Sequence, residues 1–423
     1  LMQGVFFWFG VEKLLEVLAD LGGRPGLDCR GFCKYCYFKG VRDVQPLGCR
    51  RCPPFQKGCD YCTLAVRESY AGFKPLGVVL QDVSQKLFLN SASKITVSGG
   101  GDASCYPQLR SLTAALSHFG LPIHLGYTSG KGLESGDADF HLRQGVSEVT
   151  FTVFSTDPRL RREYMNDPHP EVSLAELARF AESSRVYTAL VLIPGVNDGE
   201  KLYQTCSDLE EMGVEGLILM RFANKTDQGL ILGNSPIIRG IKPHTIEEFQ
   251  GIVEEINRNF PYRVTGTPLL DPETGAPFAL QGHPEILADL PPVRRKATLL
   301  TSRTAKPLLE KVFQGIQGGE LVQIIALEKD IGCLATQGDL EKLDLQELEE
   351  TIIYPGRAFI HPQEAKKILT KDGIQRIVTP GPERLTMDGE MSIALTQKEV
   401  LEFEIEAFTE LISQINALGK EPE

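Results

Sequence analysis

Seven of the ten cysteines fall between Cys29 and Cys62, in two blocks of different spacing. The first, GLDCRGFCKYCYFKG, sets Cys29, Cys33 and Cys36 as C-x3-C-x2-C. The second, GCRRCPPFQKGCDYC, sets Cys49, Cys52, Cys59 and Cys62 as C-x2-C-x6-C-x2-C. Three thiolates leave one iron of a cubane cluster open, whereas four close a tetrahedral metal site. One site for chemistry and one for structure are therefore expected. A disulfide framework is the alternative, but C-x2-C pairs in a chain of 423 residues suit metal better. Zinc and a single iron both fit the second block, as a staple for its loop.

The net charge of −12 argues against a nucleic-acid binder, which needs clustered Lys and Arg. A hydrophobic share of 42% and a charged share of 24% are ordinary for a globular chain with room for one large and one or two smaller domains. The N-terminal apolar run 5–9 holds the single tryptophan, Trp8, and is too short to cross a bilayer. It lacks a basic leader and a small-residue cleavage site, so a packed strand or an extension is expected there, in a cytoplasmic protein.

Beyond the cysteines, short β-branched runs alternate with amphipathic helical patterns. Strands are predicted at 16–20, 94–98, 122–127, 148–154, 187–193, 215–222 and 262–266, with helices such as 108–119, 174–184 and 202–212 between them. This alternation predicts an α/β fold with a parallel sheet, a full or partial TIM-like (β/α) barrel over 16–266 that carries the four-cysteine loop at 40–72. The Pro- and Gly-rich stretch 267–296 is expected as a linker or covering loop. A C-terminal α+β domain over 297–423 is expected to hold strands at 297–302, 321–327, 351–354 and 375–378, a helix at 305–314 and an acidic final helix at 398–418. Residues 1–15 form an N-terminal extension.

The triplet follows a strand and the Gly-rich turn GGRPG, with the aromatic Tyr35 just before its third cysteine. With the barrel pattern behind it, this arrangement resembles the radical S-adenosylmethionine (SAM) enzymes. Three further segments fit at the C-terminal ends of strands, where barrel active sites form. Ser98, Gly99, Gly100, Gly101 and Asp102 resemble the family's Gly-Gly-Glu motif, with Asp in place of Glu; alone they would read as a tight turn. The run VLIPGVND, with Val191 and Ile193, resembles the segment that packs on adenine. Ser155 stands where family members hold the ribose. The resemblance implies a 4Fe-4S cluster on Cys29, Cys33 and Cys36, SAM on its open iron, and a 5′-deoxyadenosyl radical as the hydrogen abstractor.

The longer run from 21 to 70, with both cysteine blocks in order, is similar to the methanogenesis-marker radical SAM methyltransferases, which methylate an arginine of methyl-coenzyme M reductase. That resemblance implies C-methylation of an arginine δ-carbon, iron in the second block, and cobalamin as methyl carrier, held partly by the C-terminal region. An Asp-x-His-x-x-Gly cobalamin signature is absent, since the stretches at Asp139–His141 and Asp167–His169 lack the required Gly. In GYTSGKG, Tyr127 matches the residue that approaches the open iron when SAM is absent, and Ser129 is a cofactor contact; an aromatic capping the barrel core is the plain alternative for Tyr127. Leu334 matches the residue facing the lower side of cobalt, which leaves that metal without a His ligand. A protein substrate and an electron-donor protein are the implied partners, with no nucleic acid and no membrane.

A guanidinium substrate needs carboxylates, and Asp157, Asp167 and Glu390 are candidates by position. Cys206 is expected in the core, Cys105 near the pocket, and Cys333 has no assigned role. Rival functions are a radical SAM peptide maturase without cobalamin, performing sulfur insertion or cross-linking, and a non-catalytic iron–sulfur or zinc scaffold.

Overall fold

In the computed structural model, residues 16–41, 72–89, 91–386 and 388–422 are described. Seven parallel strands run in sequence order: β1 (Glu16–Asp20), β2 (Lys94–Ser98), β3 (Ile123–Thr128), β4 (Val146–Thr152), β5 (Arg185–Leu192), β6 (Gly216–Arg221) and β7 (Arg263–Thr267). Each pairs with the next, and among the described residues β1 and β7 do not pair, so the barrel is partial. The crossover helices include α1 (Leu76–Leu89), α2 (Leu109–Leu116), α3 (Asp137–Arg143), α4 (Pro170–Ala181), α5 (Glu200–Met212) and α6 (Ile246–Asn259).

The pattern behind this layer is simple. In α2 the residues Leu109, Leu112 and Leu116 recur at three and four positions and bury one face, each burial stabilising by roughly 1.5–3 kcal/mol. On β5 the even residues Val186, Leu190 and Leu192 join the helix-side core. The odd residues Tyr187 and Ala189 instead cluster with Tyr127 of β3, Ile218 of β6 and Ile393, on the opposite face. β4 stops at Thr152, two residues before its predicted end, because Phe154 turns with φ +61°. In α6 a capping box between Thr245 and Glu248 fixes the first turn.

A second sheet holds β8 (Ala297–Thr301), β9 (Val322–Ala326), β10 (Thr351–Tyr354) and β11 (Ile377–Pro380), in the order β11-β10-β8-β9. The expected strands and helices are present, but every pairing is parallel, which refines α+β to α/β for this unit. Helices α7 (Lys306–Gln314) and α9 (Gln397–Leu418) bury Leu309, Val312, Phe408, Leu411 and Ile415 against it, while α8 (Pro362–Leu369) covers the side of β11. The stretch expected as a linker is well packed, with Leu269, Ala276 and Ala279 in one cluster with Met391, Val400 and Phe403.

The two sheets are joined by buried ions. Arg221, at the end of β6, donates to Asp330 at 2.7 Å, and both side chains are nearly inaccessible. Lys329 donates to the Thr226 carbonyl at 2.8 Å. No helix among the described residues is long and apolar enough to cross a membrane.

Candidate active site

The cysteine triplet lies in the loop that follows β1, against the C-terminal ends of the neighbouring strands. Gly23 (φ +99°) makes the approach possible, because a Cβ there would sit 2.8 Å from the Gly101 nitrogen. Gly31 (φ +104°) leaves room for Asn166, whose Nδ2 would lie 2.0 Å from any Cβ. The Gly26 amide donates to Cys29 Sγ at 3.3 Å, and Cys33 Sγ donates to the Met165 carbonyl at 3.5 Å. Burial and the charge of Asp102 push the Cys29 thiol up to about 11. Burial, joined by the charges of Cys33 and Cys29, pushes Cys36 up to about 12. Cys36 thus feels both other thiols, and no group of three His, Cys, Asp or Glu side chains among the described residues could hold a metal ion in common. Three thiols on one loop are the donors a cluster would take, each thiolate on a different iron. Metal binding here must displace thiol protons.

The apolar wall beside the triplet is built from three rings. Tyr35 stacks on Phe154 at 4.9 Å, and Phe154 stacks on Tyr164 at 5.5 Å. The Tyr35 hydroxyl is buried close to the Cys33 thiol, and burial raises its pKa well above the ordinary value. Phe154, Met165, Ile193, Val196 and Phe222 form the core of this wall, with Cys33, Tyr35 and Val191 packed on it. Tyr35, Val191 and Ile193 are therefore brought together with the triplet. Asn197, 1% exposed, holds the end of β5 in place: its Oδ1 accepts from Ile193 N at 2.8 Å, and its Nδ2 donates to the Phe154 and Val191 carbonyls at 2.9 Å each.

The segment after β2 is tied to the loop after β1. The amides of Gly100 and Gly101 donate to the Gly22 carbonyl at 2.9 and 3.3 Å, and a Cβ on Gly99 would lie 2.3 Å from that oxygen. These glycines serve the contact between two loops. Asp102 is buried, and its Oδ1 accepts from Ser104 N (3.0 Å), Ser104 Oγ (2.8 Å), Thr128 Oγ1 (3.3 Å) and Ser129 N (3.1 Å), while Oδ2 accepts from Ser129 Oγ. Asp102 and Ser129 are thus bound to each other, joining the ends of β2 and β3. Ser98 is the last residue of β2, half-buried, and its carbonyl accepts from Leu21 N at 2.8 Å.

Tyr127 has φ +42° at a register shift between β3 and β4, and its ring packs with Tyr187, Ala189, Ile218 and Ile393. It occupies the strand face away from the helices, the core position weighed as its plain alternative. Ser155 is buried with its hydroxyl 3.3 Å from Thr205 Oγ1 of α5 and accepting from Asp157 N at 3.1 Å, so it is engaged on the helix side. Asp157 caps the short helix Pro158–Leu160 and lies near Arg159.

Asp167 requires a correction. Its side chain is fully buried, and Arg161, equally buried, donates to its Oδ2 through Nε (3.0 Å) and Nη2 (2.8 Å). A carboxylate sealed against an internal guanidinium cannot receive one from a substrate. Arg161 also donates to the carbonyls of Ser129 (2.7 Å) and Val153 (2.6 Å), joining the ends of β3 and β4. Glu390 is half-buried, and burial raises its carboxyl above the usual range.

Lys131 was missed entirely from sequence, though it lies in the same GYTSGKG stretch. It is 2% exposed, and its Nζ donates to the carbonyls of Gly31 (3.1 Å) and Met165 (2.9 Å), the second of which also accepts from the thiol of Cys33. The Lys131 carbonyl in turn accepts from Arg30 at 2.9 Å. Only the flanking glycines could have flagged it.

Leu334 is half-buried and packs with Ile231, Leu232, Phe359 and Phe38, the last from the segment just after Cys36. Beside it, burial and the charge of Asp388 push Cys333 up to about 12. Asp388 accepts from Gly332 N at 2.7 Å, and burial lifts its carboxyl to about 6. Cys105 follows Asp102 and is half-buried, and burial and the Asp102 charge raise its thiol. Cys206 is in the core, as expected. Cys49, Cys52, Cys59 and Cys62 lie outside the described residues, as does Trp8.

Residues 124–216, from β3 to the start of β6, match the family model described as the radical SAM-like domain. The match makes this part of the chain similar to radical SAM domains. It takes in Tyr127, Ser129, Lys131, Ser155, Arg161, Val191, Ile193 and Asn197, and leaves out the cysteine triplet. Among solved structures, Streptococcus suis SuiB bound to precursor peptide SuiA is 12% identical, with 64% of this chain and 51% of that one covered at a TM-score of 0.41. A radical SAM methyltransferase from Sphaerobacter thermophilus is 18% identical, with 50% and 62% covered at 0.33. The radical S-adenosylmethionine methyltransferase TsrM from Kitasatospora setae, with cobalamin and a 4Fe-4S cluster bound, is 10% identical, with 49% and 36% covered at 0.33. The chain spans about half the length of the SuiB chain it matches. These likenesses concern the fold alone. No curated protein matches the chain.

Proposed function

We propose that this protein is a cobalamin-dependent radical SAM methyltransferase that methylates an arginine δ-carbon, with methyl-coenzyme M reductase as its protein substrate. The observation that carries the radical SAM part is the three-thiol loop set at the C-terminal ends of a parallel partial barrel, beside a buried cation and a stacked aromatic wall. The methyltransferase, cobalamin and arginine parts rest on the sequence resemblance of the two ordered cysteine blocks. When bound, the cluster and SAM supply hydrogen-atom abstraction from an unactivated carbon, and cobalamin supplies the methyl group.

Cys29, Cys33 and Cys36 take three irons in this reading. Tyr35, Val191 and Ile193 exclude water on one side, and Asn197 fixes the β5 end that carries two of them. Asp102, Ser129 and Ser155 spend their polar atoms inside the protein, so they position strand ends and leave cofactor contact to backbone and apolar groups. Tyr127 remains the proposed residue for the open iron. Leu334, half-buried in an apolar cluster with Ile231, Leu232 and Phe359, remains the residue proposed to lie toward cobalamin. The second cysteine block is proposed to hold one iron or zinc, and an electron-donor protein to supply the reductant.

The test is an anaerobic assay of the reconstituted protein with reductant, SAM, cobalamin and an arginine-bearing peptide from the substrate. A mass gain of one methyl, abolished by Cys36→Ala, is expected. Protein purified with its cofactors but without cobalamin would favour a maturase. Failure to cleave SAM to 5′-deoxyadenosine would favour a scaffold protein.

A further inference from the structure

The Lys131 ammonium is buried, bonded to two carbonyl oxygens, and forms no ion pair with any carboxylate among the described residues. The other buried cations near the strand ends are neutralised: Arg161 by Asp167, Arg221 by Asp330. A lone buried charge is strongly disfavoured unless an opposite charge reaches it. Carbonyl dipoles compensate part of that penalty and leave the net charge uncancelled.

The position of Lys131 says what the opposite charge is. Met165 O accepts from both Lys131 Nζ at 2.9 Å and Cys33 Sγ at 3.5 Å. A shared acceptor keeps ammonium and thiol no farther apart than those two distances laid end to end. The other acceptor, Gly31 O, belongs to the turn between Cys29 and Cys33. The acceptor at Met165 is itself a product of local backbone geometry. Arg161–Met165 form a π-helical turn, and Asn166 ends it in the left-handed region at φ +56°. Short polar residues tolerate that conformation, and π turns recur at functional sites.

We infer that Lys131 is a built-in countercharge for the cluster bound by the triplet, a positioning residue that fixes the loop and favours the reduced state. This rests on the cluster reading above. A four-iron core with three thiolates carries one net negative charge when oxidised and two after taking one electron from an external reductant. A fixed cation nearby stabilises the second state more, and cluster potentials respond to net charge and hydrogen bonding in this way.

The test uses the full chain, reconstituted anaerobically, in wild-type, Lys131→Gln and Lys131→Arg forms. Gln keeps a donor for the carbonyls and removes the charge; Arg keeps the charge. Iron and sulfide are counted first, and a wild-type protein that binds no cluster sinks the reading on which the inference rests. With cluster bound, dithionite titration followed by electron paramagnetic resonance is expected to show K131Q with a ratio of reduced to oxidised cluster about tenfold lower at a fixed ambient potential, or 59 mV for one electron. K131R is expected to restore the wild-type ratio. An unchanged ratio in K131Q overturns the inference. So does a K131Q protein whose cluster-free form is already unfolded by circular dichroism, because the residue is then a structural strut.

Discussion

Arg161 and Asp167 bind each other through two hydrogen bonds to a single carboxylate oxygen, with both side chains at 0% exposure. The same guanidinium reaches the carbonyls of Ser129 and Val153, so one pair fixes the ends of two strands and the turn between them. Breaking a buried pair from one side leaves a charge without a partner, which typically loses about 3–5 kcal/mol. Asp167→Leu is therefore expected to destabilise the cluster-free protein by about that amount in urea unfolding. Adding Arg161→Met should return part of the loss, because the stranded charge goes with it. A loss under about 1 kcal/mol for D167L would show that the pair does not carry this load.

Asp102 is the second such anchor. Removing its carboxylate in Asp102→Ala strands the amides of Ser104 and Ser129, each a penalty of about 1–3 kcal/mol when buried. The more telling variant is Asp102→Glu, which restores the residue found in the resembling motif. Here the carboxylate is enclosed by Ser104, Thr128 and Ser129, so an extra methylene overpacks the turn and is expected to lower stability by about 1–3 kcal/mol. Thermal melting with and without SAM checks both. D102E as stable as wild type would mean that the turn has spare room.

Asn197 supports the wall that Val191 and Ile193 provide. Asn197→Asp keeps an acceptor for Ile193 N but turns an anion toward the Phe154 and Val191 carbonyls, where an amide had donated. A carboxyl placed there has its folded pKa raised, so it contributes stability at low pH that is lost as pH rises through that value. N197D is expected to be destabilised relative to wild type, and more so at pH 8 than at pH 5. Urea midpoints at the two pH values measure it, and equal losses would exclude a raised carboxyl.

The periodic features were legible in sequence, and the polar anchors were not. β1 and β2 are legible to the residue because the apolar run 17–19 ends at Asp20 and the β-branched run 95–97 ends at the Gly-rich turn after Ser98. β4 was set two residues late because Val153 and Phe154 continue its apolar run while the chain already turns. Cys33, Tyr35, Val191 and Ile193 do meet in one wall. Asp102, Ser129 and Ser155 also tie neighbouring elements through hydrogen bonds, which sequence does not reveal because it does not give the rotamer. Lys131 and Arg161 escaped for a related reason. Lys and Arg are almost never fully buried, and here the groups that hold them include backbone carbonyls brought close only by the fold, Gly31 for Lys131 and Ser129 for Arg161.

Glu404 gives a prediction in pH. It lies on α9, is 4% exposed, and accepts the amides of Ala279 and Leu280 at 3.0 Å each. Burial outweighs those two hydrogen bonds and lifts its carboxyl to about 7 from an ordinary 4.5. The folded state therefore holds a proton that the unfolded chain has released across that window. Stability from this group is complete below the unfolded pKa and is lost as pH rises through the folded one, by about 3 kcal/mol in all. Glu404→Gln is neutral at every pH and loses one acceptor, so its own penalty is constant. The stability lead of wild type over E404Q is expected to shrink from pH 5 to pH 8, while other titrating groups cancel between the two proteins. Urea unfolding of the cluster-free proteins at fixed ionic strength measures that lead, and a lead that stays constant or widens with pH would falsify a protonated Glu404 in the folded state.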